Sequence, residues 1–110
     1  MLHVTLSLHD IMTTGSAPVY TIGTGMVASA ATLILSAGTQ DKRFIMPNTK
    51  TMIHLPEAEF RGNPKQHKIF EKEFERDKNT YIKLLAQRSH KTESEIESLI
   101  DQQDYWMNAE

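Results

Sequence analysis

The sequence predicts an α/β fold: a strand-helix-strand layer followed by a long projecting helix. Three observations carry this. Val19-Tyr20-Thr21-Ile22-Gly23 is a short β-branched run, and Ala30 to Ala37 has helical character with Gly38 as its stop. Two further apolar runs, Arg43-Phe44-Ile45-Met46 and Thr51-Met52-Ile53-His54, are separated by the Pro47-Asn48 turn and ended by Pro56. A strand, a helix and a returning strand are the unit of parallel sheets with right-handed crossovers. Residues 64–90 then form one uninterrupted helical pattern behind an Asn63-Pro64 start.

The remaining elements follow from local chemistry. Residues 4–14 are helical, Gly15 stops them, and Gly15-Ser16-Ala17-Pro18 turns into the first strand. Along the long helix Phe70, Phe74, Tyr81 and Leu85 fall on one stripe, beside Ile69, Ile82 and Leu84. The other faces carry Lys68, Glu71, Lys72, Glu75, Arg76 and Lys78. A helix of this length in so short a chain projects from the globule, so its stripe requires a partner, a second subunit being the natural one. Thr92-Glu93-Ser94-Glu95 is a capping box that opens a short helix through Ile96, Leu99 and Ile100. In the tail after Asp104, Asn108 has the character of a helix cap with no helix behind it.

Composition narrows the function. The chain has 110 residues, of which 39% are hydrophobic, with 12 Lys+Arg against 14 Asp+Glu, as expected for one domain with a modest core. Near-neutral charge gives no support for a nucleic-acid or anionic-membrane partner. The absence of cysteine excludes disulfides, thiol catalysis and thiolate metal sites. The longest apolar stretch, residues 26–37, is broken by serine and threonine, and no basic leader is present, so a cytoplasmic location is expected.

Ser29 lies in the small-residue run Gly25-Met26-Val27-Ala28-Ser29-Ala30-Ala31, where the strand pattern gives way to a helix. A serine at such a corner points its hydroxyl outward beside free helix N–H groups, which suits a nucleophile with an oxyanion donor. It equally suits close helix–sheet packing, and on chemistry alone packing is the favoured account. A nucleophilic serine needs a base, and His54 stands where an apolar strand leaves the sheet. If the two strands are neighbours, both side chains emerge at one edge. The imidazole then needs a carboxylate on its other nitrogen. Asp104 is the candidate, flanked by Tyr105-Trp106-Met107 that could bury it, whereas Asp101 is more solvated. The plainer accounts are a strand-end histidine satisfied by backbone and a loop or helix-end charge.

These residues resemble the Clp protease proteolytic subunit family, ClpP. The resemblance lies in residues 25–31 with Leu33 to Gly38, in Lys42 to Asn48, in Met52-Ile53-His54-Leu55-Pro56, and in Gln103 to Ala109. It covers essentially the whole chain. It implies the ClpP/crotonase-type fold and a serine endopeptidase that hydrolyses unfolded polypeptides by a triad falling on Ser29, His54 and Asp104. The Ala30 N–H would be one oxyanion donor, and no cofactor or metal is implied. Residues 64–90 correspond to the family's handle helix within a single domain, 1–110. The implied partners are further copies in two stacked seven-membered rings, an AAA+ unfoldase and polypeptide substrates, with no nucleic acid and no membrane.

The sequence departs from the family in several places. Ala30-Ala31 replaces the usual Met-Gly, and Glu57-Ala58-Glu59-Phe60-Arg61-Gly62 stands in place of a glycine-rich strand that pairs with substrate. Gln103 replaces an arginine, and one extra residue falls between Glu97 and Asp104. By the same resemblance the chain is truncated at both ends. It would begin after the glycine pair that supplies the second oxyanion donor and end before the last helix and strand. A non-catalytic assembly subunit is therefore the alternative expectation. An acyl-CoA enzyme of the related crotonase type is a third, against which the Ser-His-Asp set argues.

Overall fold

A computed structural model of the chain describes residues 2–101 and 103–110. Four helices and five short strands follow in the order α1 (Leu2–Thr14), β1 (Thr21–Gly23), β2 (Met26–Ala28), α2 (Ala30–Ser36), β3 (Arg43–Ile45), β4 (Lys50–Ile53), α3 (Pro64–Ser89), α4 (Glu93–Asp101) and β5 (Tyr105–Met107). β1 pairs parallel with β3. β2 pairs parallel with β4, which pairs antiparallel with β5 on its other side. The strand-helix-strand layer is thus present.

Two strands are finer than the sequence pattern indicates. The run before Ser29 is interrupted at Gly25, whose φ of 65° is ordinary for glycine and strained for other residues. The chain stays in register across the break. Met46 N–H donates to Gly23 O and Lys50 N–H to Gly25 O, both at 2.9 Å. The buried Thr49 hydroxyl donates to Gly23 O at 3.1 Å and fills the gap. So the strand that delivers Ser29 is β2, built from Met26-Val27-Ala28, and not the 19–23 run. β5 was hidden in a tail that reads as irregular. There Asn108 Oδ1 accepts from the Glu110 N–H at 3.1 Å, a cap-like turn without a helix.

The core forms where α2, β4, α3 and α4 meet, from Leu33, Ile53, Tyr81, Ile82, Leu85, Ala86, Ile96 and Ile100. Only the second half of α3 enters it. The capping box at Asn63 and Gln66 fixes the start of α3 with bonds of 2.9 and 3.0 Å. The first turns then run through solvent, with Phe70 half-buried and stacked on Phe60 at 4.6 Å between centroids. Arg43 donates to Ser36 O and Arg88 O, each at 3.2 Å, and so joins the ends of α2 and α3. The Thr92–Glu95 capping box forms as the sequence indicates, at 2.7 and 3.1 Å.

α1 inverts the usual amphipathic rule. Thr5 and His9 are its buried residues. Val4, Leu8 and Ile11 are 64%, 47% and 67% exposed. Among the described residues no helix is long and apolar enough to cross a membrane.

Candidate active site

β2 and β4 run in the same direction with Val27 opposite Thr51 and Ala28 opposite Met52, so both chains leave the sheet at one end. Ser29 N–H donates to Met52 O at 2.8 Å and adds one more rung to the ladder. The backbone then reverses sharply. Ser29 takes φ 59°, ψ −122°, the geometry of the first central residue of a II′ turn, where glycine is usual. This lifts the side chain clear of the sheet, and Ala30 begins α2 directly.

Thr32 braces the corner. Its hydroxyl lies 3.1 Å from Val27 O and 2.9 Å from Met52 O, carbonyls next to the ends of the two strands. Its N–H donates to Ser29 O at 3.0 Å. In the sequence the signal for Thr32 is a hydroxyl three residues after a corner serine.

The imidazole of His54 arrives from the residue after β4, and its Nε2 stands 2.7 Å from Ser29 Oγ. With the ring proton on Nδ1, Nε2 accepts from the serine hydroxyl, the polarity required of a general base. Both residues are half-buried. Tyr81 of α3 packs below them, and burial pushes its hydroxyl up to about 12, a rise that the adjoining His54 backbone partly offsets. Proximity here falls short of a well-formed bond, since the Tyr81 hydroxyl finds no hydrogen-bond partner among the described residues.

Asp104 is not where burial by its neighbours would put it. The β4–β5 register, with Ile53 opposite Tyr105, brings Asp104 to the level of His54. Yet Asp104 is exposed, and no hydrogen bond or ion pair joins it to His54 among the described residues. Strand alternation is the reason. Tyr105 and Met107 turn inward while Trp106, 51% exposed, turns out, so the three bulky residues do not close over the carboxylate.

A cavity of about 150 Å³ opens beside the dyad, lined by Leu2, Ser29, Ala30, His54, Pro56, Glu57 and Tyr81. A larger one, about 580 Å³ and bounded in part by Leu35, Arg43, Leu85 and Tyr105, includes neither Ser29 nor His54 in its lining. Ser29 and His54 therefore belong to the smaller cavity.

A serine on a strained strand-to-helix corner, within hydrogen-bond reach of a strand-end histidine, is the arrangement the resemblance implies. Comparison with known proteins agrees over the whole length, since the Clp protease family model matches residues 1–110. The chain belongs to the Clp protease family. It is 38% identical over 103 residues to the ATP-dependent Clp protease proteolytic subunit 2 of Treponema denticola, covering 94% of this chain and 51% of that protein. It is 36% identical over 102 residues to the proteolytic subunit of Porphyromonas gingivalis, covering 93% and 46%. With the chloroplastic subunit 4 of Arabidopsis thaliana it shares 36% over 104 residues, covering 94% and 36%. The chain thus spans about half the length, or less, of these relatives. Ala30 and Glu57 both line the cavity beside Ser29 and His54.

Proposed function

We propose that this chain contributes the nucleophile and base of a Clp-type serine endopeptidase. The observation that carries the reading is the 2.7 Å contact between Ser29 Oγ and His54 Nε2 at a positive-φ corner. His54 takes the Ser29 proton as Oγ bonds to the scissile carbonyl carbon. The proton then passes to the departing amine as the C–N bond breaks. Water adds to the acyl-enzyme, gives a proton to His54, and Ser29 is regenerated. The Ala30 N–H, at the first helical position and without an intrahelical acceptor, is the oxyanion donor this chain supplies. Asp104 is the third triad member in this reading. Its level beside His54 supports the role.

The assembly belongs to the same proposal. The relatives carry the words ATP-dependent and proteolytic subunit in their names. For this chain we infer homo-oligomeric rings fed with unfolded polypeptide by an AAA+ unfoldase, with residues 64–90 acting as a handle between subunits. The solvent-exposed first turns of α3 and the outward apolar residues of α1 support this. A non-catalytic assembly role is the second reading, and the exposure of Asp104, with no bond to His54 among the described residues, favours it.

A fluorophosphonate probe separates the two. The peptidase reading expects covalent label on wild type and none on Ser29→Ala. A folded, assembled sample that takes no Ser29-dependent label would sink it.

A further inference from the structure

The cavity beside the dyad has a chemical character of its own. Leu2, Ala30, Pro56 and the ring of Tyr81 give it apolar walls. Two features break the apolar lining. Tyr81 is only 3% exposed, and its hydroxyl is buried with no hydrogen-bond partner among the described residues. Glu57 lines the same cavity while remaining solvent-exposed. A neighbouring hollow, formed by Pro56, Glu57, Ala58, Glu59 and Phe74, adds a second carboxylate. Neither lining contains a lysine or arginine, and no ion pair involving Glu57 or Glu59 occurs among the described residues.

Ser29 and Ala30 both line this cavity, so an acyl group on Ser29 with its carbonyl oxygen at the Ala30 N–H is attached at the cavity wall. We propose that this cavity receives the side chain on the acyl side of the scissile bond, and that Glu57 makes it favour a cationic side chain, lysine or arginine, over an aliphatic one of equal length. The proposal rests on the peptidase reading above. A lysine stem lies along the apolar walls while its ammonium stays near water and the carboxylate. Because Glu57 is exposed, the discrimination is modest, roughly two- to fivefold.

Peptidyl diphenyl phosphonates test this directly. Ser29 Oγ attacks phosphorus, phenoxide leaves with the serine proton, and the acyl-side residue is chosen by synthesis. Probes carrying lysine or norleucine at that position are compared on wild type, Glu57→Gln and Ser29→Ala, with a small fluorophosphonate as a control that has no side chain to place. The expected result is faster labelling by the lysine probe on wild type, a preference that falls to about unity in Glu57→Gln and shrinks with added salt. Equal rates on wild type, or a preference unchanged in Glu57→Gln, overturn the specificity while fluorophosphonate labelling of Ser29 keeps the peptidase reading intact. Absence of Ser29 labelling by every probe overturns both.

Discussion

Ser29 holds a backbone conformation that L-residues adopt at a penalty of about 1–3 kcal/mol. The strain is offset by its own N–H bond to Met52 O and by the Thr32 hydroxyl, whose one proton is shared between Val27 O and Met52 O. Ser29→Gly should therefore raise stability over Ser29→Ala by roughly 1 kcal/mol, while both variants lose probe labelling. Urea titration of the two side by side measures it; equal midpoints would remove strain from the account of this corner. Thr32→Val tests the brace. The one hydroxyl proton between Val27 O and Met52 O is lost while Met52 O keeps the Ser29 N–H, and a stability loss of roughly 1 kcal/mol is expected, together with slower Ser29 labelling. Tyr81 sets a pH dependence. Its folded value of about 12 lies above the ordinary 10.0, so the contribution is intact below pH 10 and is lost as pH rises from 10 to 12. Comparing wild type with Tyr81→Phe across that window isolates it, and the variant should show the shallower decline.

At the scale of elements, packing distances decide what can change. A Cβ on Gly38 would stand 2.8 Å from Arg43 Cγ and against the Thr21 hydroxyl, which is bonded to Leu35 O at 2.7 Å. Gly38→Ala should destabilise by roughly 1–3 kcal/mol, read from the thermal midpoint, because it pushes α2 away from β1 and β3. Helices proved legible in the sequence because their signals are local. Asn63-Pro64 and Thr92 with Glu95 are caps whose partners lie three residues away, and both boxes form. β2 and β5 were not legible. Each exists through pairing with β4, a long-range partner that no local pattern reveals. The site divides in the same way. Ser29 and His54 could be anticipated from strand ends, and they meet. The burial expected for Asp104 fails, because whether Tyr105, Trp106 and Met107 cover it depends on which faces β5 presents.

For the whole molecule the decisive fact is where apolar surface remains. Val4, Leu8 and Ile11 form an outward stripe on α1, and Ile69 is 58% exposed on the projecting part of α3 beside the Phe60–Phe70–Phe74 stack. Fully burying one such side chain stabilises by about 1.5–3 kcal/mol, and these are already partly covered, so the α1 stripe alone supplies only a few kcal/mol. Association itself opposes this with about 4–15 kcal/mol of lost freedom. On the proposed assembly, the α1 stripe alone is insufficient and the two faces act together. Self-association should then be lost when either face is made polar. Leu8→Glu with Ile11→Glu, or Ile69→Glu with Phe70→Glu, is expected to shift the sedimentation coefficient to that of a monomer. Helical circular dichroism should remain, because none of the four residues belongs to the buried core. If one pair dissociates the protein and the other leaves it assembled, the two faces do not act jointly. If wild type sediments as a monomer at micromolar concentration, neither serves as a self-association surface.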